Sequence, residues 1–130
     1  MNNSLEQYYD VAILFLRIGV GIIFVVAGWG KLMGIEGTQG FFENVGIPAP
    51  VLMAWVVALI EFVGGLMVLL GLYIRIPSLL LACVMIGALL FVKIGGDWNP
   101  MRIDITLLAM SLALFILGSG RISFEHLFKN

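Results

Sequence analysis

The sequence predicts an all-α fold: an integral membrane four-helix bundle, forming one domain over residues 1–130. Composition is the first reason. Hydrophobic residues make up 62% of the chain and charged residues 12%, where soluble domains average roughly 45–50% and 25%. So little charge cannot cover a water-facing surface, and the mean hydropathy is +1.11. The second reason is four long apolar segments in succession. The third is that they are apolar on every face, as in "SLLLACVMIGALLFV" at 78–92. That pattern suits a helix in lipid and not the alternating strand of a membrane barrel. In hydrocarbon, backbone groups must bond within their own segment, which again selects helices.

The segments run over residues 11–33, 50–73, 76–94 and 101–120. Each approaches the ~20 residues needed to cross ~30 Å of hydrocarbon. The opening "MNNSLEQYYD" has no Lys or Arg and no small-residue cleavage site. The first apolar run is therefore expected to stay as an anchor and not to be removed as a signal peptide. Between the first two helices, "GIEGTQGFFENVGIPAP" is too long for a tight turn. It reads either as a short interfacial helix around "FFENV", with Phe41 and Phe42 at headgroup depth, or as a glycine-rich loop. Pro48 and Pro50 frame the start of the second helix. "YIRIPS" is a tight antiparallel turn, with Pro77 in the first turn of the third helix. "GGDWNP" joins the last two, and Trp98 then falls near the same surface as Trp29. The tail 121–130 mixes apolar residues with charges and is expected to lie along the membrane plane.

Four crossings put both termini on one side. Arg75, Arg121, Lys129 and the shallow Arg17 share that side, against Lys31, Lys93 and Arg102 on the other. The positive-inside rule then makes the termini cytoplasmic and the location the cell membrane. The net charge of −1, with no basic run, argues against a nucleic-acid partner.

The informative residues are charges inside apolar runs: Arg17, Glu61 and Asp104, with Lys31 nearer a helix end. A charge at the bilayer centre costs about 2.5–3.5 kcal/mol, so such groups are paired, wet or functional. Depth counted from the expected helix ends predicts two couplings, Arg17–Glu61 and Lys31–Asp104. Small residues accompany them: Gly21 and Gly28 after Arg17, Gly64 and Gly65 after Glu61, and Ser111 on the stripe of Asp104. Such faces let membrane helices approach closely. They also leave room for a flat ligand beside a charge, with Trp29 as an apolar wall. The alternative is tight packing with ion pairs that fix helix register.

Cys83 is the one cysteine and reads as a small hydrophobe; His126 is the one histidine and reads as a surface residue. Neither has neighbours at ligand spacing. No metal site is expected, and no intrinsic cofactor or haem.

Taken together, "FLRIGVGIIFVVAGWGKLMG", "FFENVGIPAP", "LIEFVGGLMVLLGLYIR" and "DITLLAMSLALFILGSGRIS" resemble the DoxX family over residues 12–124. Its most specific parts are Arg17 with Gly28-x-x-Lys31-Leu32, Glu61-x-x-Gly64-Gly65, and the closing Gly118-x-Gly120-Arg121-x-Ser123. The resemblance implies a four-helix membrane protein related to the DoxD-type small membrane subunit of thiosulfate:quinone oxidoreductases, with some relatives linked to oxidative-stress or thiol-redox complexes. Many relatives carry His where this chain has Ala27, so a role resting on that histidine does not carry over.

Three functions remain in view. One is a redox-associated accessory subunit, contacting quinone or an electron-transfer partner, with no electron carrier of its own. The buried acids would handle the protons that accompany electrons to a quinone. Another is a structural or assembly subunit of a homo-oligomer or larger membrane complex. The third is permeation of a small solute or proton.

Overall fold

A computed structural model describes residues 3–93 and 98–118. Those residues are mostly helical and contain no strand. The elements are α1 (Asn3–Met33), α2 (Ile35–Asn44), α3 (Pro50–Leu70), α4 (Arg75–Ala88), continued by a π-helical segment Leu89–Lys93, and α5 (Trp98–Leu117). Among the described residues two stretches, Gln7–Met33 and Pro50–Leu70, are long and apolar enough to cross a membrane; Arg75–Phe91 is a shorter apolar helix.

Several boundaries differ from expectation for identifiable reasons. α1 starts two turns early, because "NSLEQYYD" contains nothing that stops a helix. α3 ends three residues early, at a Schellman turn. There Gly71 takes φ +79°, its N–H donates to the Val68 carbonyl, and the Leu72 N–H donates to the Met67 carbonyl. Tyr73 also has positive φ, at +45°, so the turn to α4 is tight, and Pro77 lies in the first turn of that helix. The segment between the long helices is α2, longer than "FFENV" alone. The Thr38 hydroxyl donates to the carbonyls of Gly34 and Lys31, tying α2 to the end of α1. α5 starts one turn before residue 101 and ends against Gly118, at φ +83°. The expected interfacial tail 121–130 lies outside the described residues.

The bundle is held together first by α1 against α3. An added Cβ at Gly28 would sit 2.4 Å from the Phe62 backbone N, and one at Gly65 2.8 Å from the Val25 N. One at Gly21 would meet Leu69 Cβ at 2.9 Å. The two backbones are therefore in direct contact, an approach only glycine permits. α4 packs on α3 near their shared turn, where Gly64 faces Leu81. α5 packs along α4 and more lightly on α1. Val20, Phe24, Val68, Ile74, Leu81 and Leu114 form the centre of the core.

The distribution of polarity is inverted relative to a soluble protein. Arg17, Glu61, Ser78, Asp104 and Ser111 are buried, while Phe15, Val26, Leu52, Leu59, Ile76 and Ile116 are exposed. An apolar surface around a charged interior is what a lipid solvent selects.

Candidate functional site

On α1, Arg17, Val20, Gly21, Phe24, Gly28 and Lys31 follow one helical stripe. On α3 the matching stripe is Ala54, Ala58, Glu61, Gly65 and Val68. The helices are antiparallel, and the glycine contacts set Gly21 against Gly65 and Leu69, and Gly28 against Phe62. That register places the two cations of the α1 stripe at opposite ends of the interface.

At one end, Arg17 is buried and its Nε donates to the Val68 carbonyl at 3.1 Å. Its Nη2 donates to the Leu69 carbonyl, also at 3.1 Å. The last turn of a helix leaves carbonyls unsatisfied and carries partial negative charge. The guanidinium fork of a neighbouring helix therefore caps α3 here, beside the Schellman turn.

At the other end, Lys31 Nζ lies 2.8 Å from Glu61 Oε2, an ion pair and hydrogen bond together. The Glu61 side chain is 3% exposed and that of Lys31 31%. Among the described residues the ion pair seen is thus Lys31–Glu61, where Arg17–Glu61 and Lys31–Asp104 were expected. Leu69, which Arg17 meets, is eight residues from Glu61, about 12 Å along the helix. Gly21 lies beside Leu69, Val25 beside Gly65 and Gly28 beside Phe62, which sets Glu61 level with Trp29, within one turn of Lys31.

The pair forms part of the wall of a cavity of about 500 Å³. α2 and the turn after it contribute Phe41, Phe42 and Ile47; α3 contributes Met53, Val56, Val57 and Ile60. α4 and its π-helical extension contribute Leu80, Cys83, Val84, Met85 and Phe91, and α5 contributes Asp104. Lys31, Glu61 and Asp104 are therefore brought to one space; Arg17 is not. Asp104 of α5 and Phe91 of the π-helical segment border the same space. π-bulges often occur at functional sites.

The small residues proposed as pocket lining have other positions. Gly21, Gly28 and Gly65 close the α1–α3 contact, and Gly64 meets Leu81. Ser111 is fully buried on α5. Trp29 is half exposed and packs on Phe62, with ring centroids 5.8 Å apart. None of them lines this cavity. The apolar lining was missed because Met53, Val56, Val57 and Ile60 look like any other residues in a run with no polar face. The one usable signal was position, and only for part of the wall: Val57 lies one turn before Glu61 on its face, and Met53 one turn before Val57.

Chemically, the ion pair offers an ammonium donor next to a carboxylate acceptor, in a space otherwise apolar except for Asp104. Ligand cavities usually measure about 300–1,000 Å³ and combine apolar walls with a few placed polar groups. This one has both properties.

Comparison with known proteins gives the same class. The chain is 39% identical over 116 residues to the "Putative oxidoreductase CatD" of Bacillus subtilis, covering 88% of this chain and 85% of that protein. It is 35% identical over 127 residues to the "Inner membrane protein YqjF" of Escherichia coli, covering 95% and 96%. It is 29% identical over 135 residues to the "Inner membrane protein YphA" of the same organism, covering 92% and 96%. No solved structure matches significantly. The DoxX family model matches residues 12–94, which include Arg17, Lys31, Glu61 and most of the cavity wall, and the chain is a membrane protein of the DoxX family.

Proposed function

We propose that this chain is a redox-associated accessory subunit of the cell membrane whose cavity takes the head group of a quinone. The observation that carries the reading is the Lys31–Glu61 pair, with Asp104, in the wall of an otherwise apolar cavity of about 500 Å³. A quinone ring is flat and apolar on its faces and bears a carbonyl oxygen at each end. Lys31 would donate to one such oxygen, and Glu61 would accept from the hydroxyl of the reduced form. When bound, the quinone supplies two-electron, two-proton redox chemistry. Glu61 and Asp104 are the groups placed to hold or pass a proton. On this reading the electrons come from a partner protein. The "oxidoreductase" in the name of the Bacillus relative is in keeping with this.

The same reading makes α1, α3, α4 with its π-helical extension, and α5 the four crossings of a membrane bundle, with α2 at the interface. Both termini then lie on the cytoplasmic side. Gentle purification from native membranes, followed by solvent extraction, tests the proposal. Quinone is expected in near-stoichiometric amount from the wild type and in much reduced amount from Glu61→Gln, alongside a co-purifying redox protein. Equal quinone in both preparations, at the level of empty membrane, would remove the reading.

A structural subunit remains the second reading, favoured by the glycine contact of α1 and α3, which gives a rigid unit for assembly in a homo-oligomer or larger complex.

A further inference from the structure

The shape of the cavity defines its ligand more closely, on the footing that it is the quinone site proposed above. α3 and α4 touch near their shared turn, where Gly64 meets Leu81. Beside that contact Leu80 begins the cavity wall, and farther from the turn Met53–Glu61 on α3 and Cys83–Phe91 on α4 border it. The two helices thus frame a cleft that widens away from the turn. Phe41, Phe42 and Ile47 cover its wide end.

Exposure shows where the cleft opens. Among the lining residues, Leu80, Cys83 and Phe91 on the α4 side and Phe41 of α2 are exposed, whereas Glu61, Met85 and Asp104 are buried. The mouth therefore runs along the outer edge of α4, with Phe41 at its wide end, and the ion pair lies at the inner end. The surface beside the mouth is apolar on both helices: Leu52, Leu59 and Val63 on α3, Leu79, Ile86 and Leu90 on α4. An opening onto water would be rimmed by polar residues; this one is rimmed by side chains that lipid would cover.

We propose that the cavity opens sideways into the bilayer between α3 and α4. Its occupant is a lipid-soluble quinone whose ring reaches Lys31 and Glu61 and whose isoprenoid chain leaves past Leu80, Cys83 and Phe91. The ligand never has to enter water. A ring-only quinone would fill the inner end and leave the mouth empty.

Cys83 is the sole cysteine of the chain and stands in the mouth, so it can carry a nitroxide label without other changes. The full chain would be labelled there and reconstituted in vesicles. Accessibility to dissolved oxygen would then be compared with accessibility to a water-soluble nickel chelate by power-saturation electron paramagnetic resonance. Val26→Cys in a Cys83→Ser background supplies a reference on the exposed face of α1, away from the mouth. Oxygen is expected to dominate at both positions. A long-chain menaquinone or ubiquinone should broaden the Cys83 spectrum and lower its oxygen access, with no change at the Val26 position. A ring-only quinone should leave both unchanged. Dominance of the nickel chelate at Cys83 would overturn the sideways opening, even if quinone binds. Retention of the ring-only quinone by the unlabelled purified protein separates the two ideas. Retention without any Cys83 response to the long-chain form overturns the exit route alone. Absence of retention, with oxygen-dominated access, overturns the quinone occupant.

Discussion

The two ends of the α1–α3 interface carry the same kind of residue and use it differently. Arg17 and Lys31 are cations on one stripe of α1, separated by the glycine contact. Arg17 is spent on backbone: its planar fork satisfies two carbonyls at the C-terminus of α3. Lys31 is paired with a side chain, Glu61, at the edge of a space large enough for a ligand. The chemistry of each residue suits its place. Guanidinium presents several donors in fixed geometry and stays charged; ammonium is a mobile point donor able to exchange partners. A buried charge is therefore weak grounds for a functional site until its partner is known.

The largest expected effect is at the closed end. Arg17→Met removes two hydrogen bonds from a charged group, each worth about 1.5–3 kcal/mol, and leaves the Val68 carbonyl with only the Gly71 N–H. Thermal unfolding in detergent should fall by roughly 2–5 kcal/mol in total. Arg17→Lys should recover part of it, because it keeps the charge at the helix terminus but loses the fork. Quinone retention per folded molecule should not change in either variant.

At the open end, Lys31→Met should cost less, roughly 2 kcal/mol, because Lys31 is partly exposed and Glu61 has room to rehydrate. The double change Lys31→Met with Glu61→Leu should restore stability, since an apolar pair can replace a buried ion pair at little cost. An Arg17 variant that retained full stability while losing ligand would reverse the two assignments.

Between the ends, Gly21→Ala should destabilise by about 1–3 kcal/mol, because its methyl would press on Leu69 and the Gly65 carbonyl. The smallest expected effect is Trp29→Leu, about 0.5–1.5 kcal/mol for the lost contact with Phe62. Ligand retention should be untouched, because Trp29 lies outside the cavity wall.

These two ends were unequally legible in the sequence. The apolar runs announced the long helices, and the interior charges announced themselves against that background. The glycines at 21, 28 and 65 announced a close contact, though not that they would be used up in it. Pairing was not legible. It depends on relative register, and the glycine contacts set α1 and α3 with their ends staggered, where depth counting took the ends as level; α3 also stopped early, at Gly71. The stop had a visible cause, a glycine able to take positive φ, yet Leu72 and Tyr73 are apolar enough to suggest continuation. The cavity face was hidden for another reason. In a helix apolar all round, no change of polarity marks the side that faces a ligand. Nor does "LLFVK" carry a proline or glycine to betray its π-helical winding.

The most direct test of the division between the ends is one preparation of the Lys31→Met, Glu61→Leu double variant, measured for both melting and quinone retention. A hydrogen bond from a charged group is worth about 1.5–3 kcal/mol, so losing the pair should weaken retention on the order of tenfold or more. The account predicts a protein that melts at or above the wild-type temperature and retains little quinone. A variant that melts normally and retains quinone as the wild type does would contradict it.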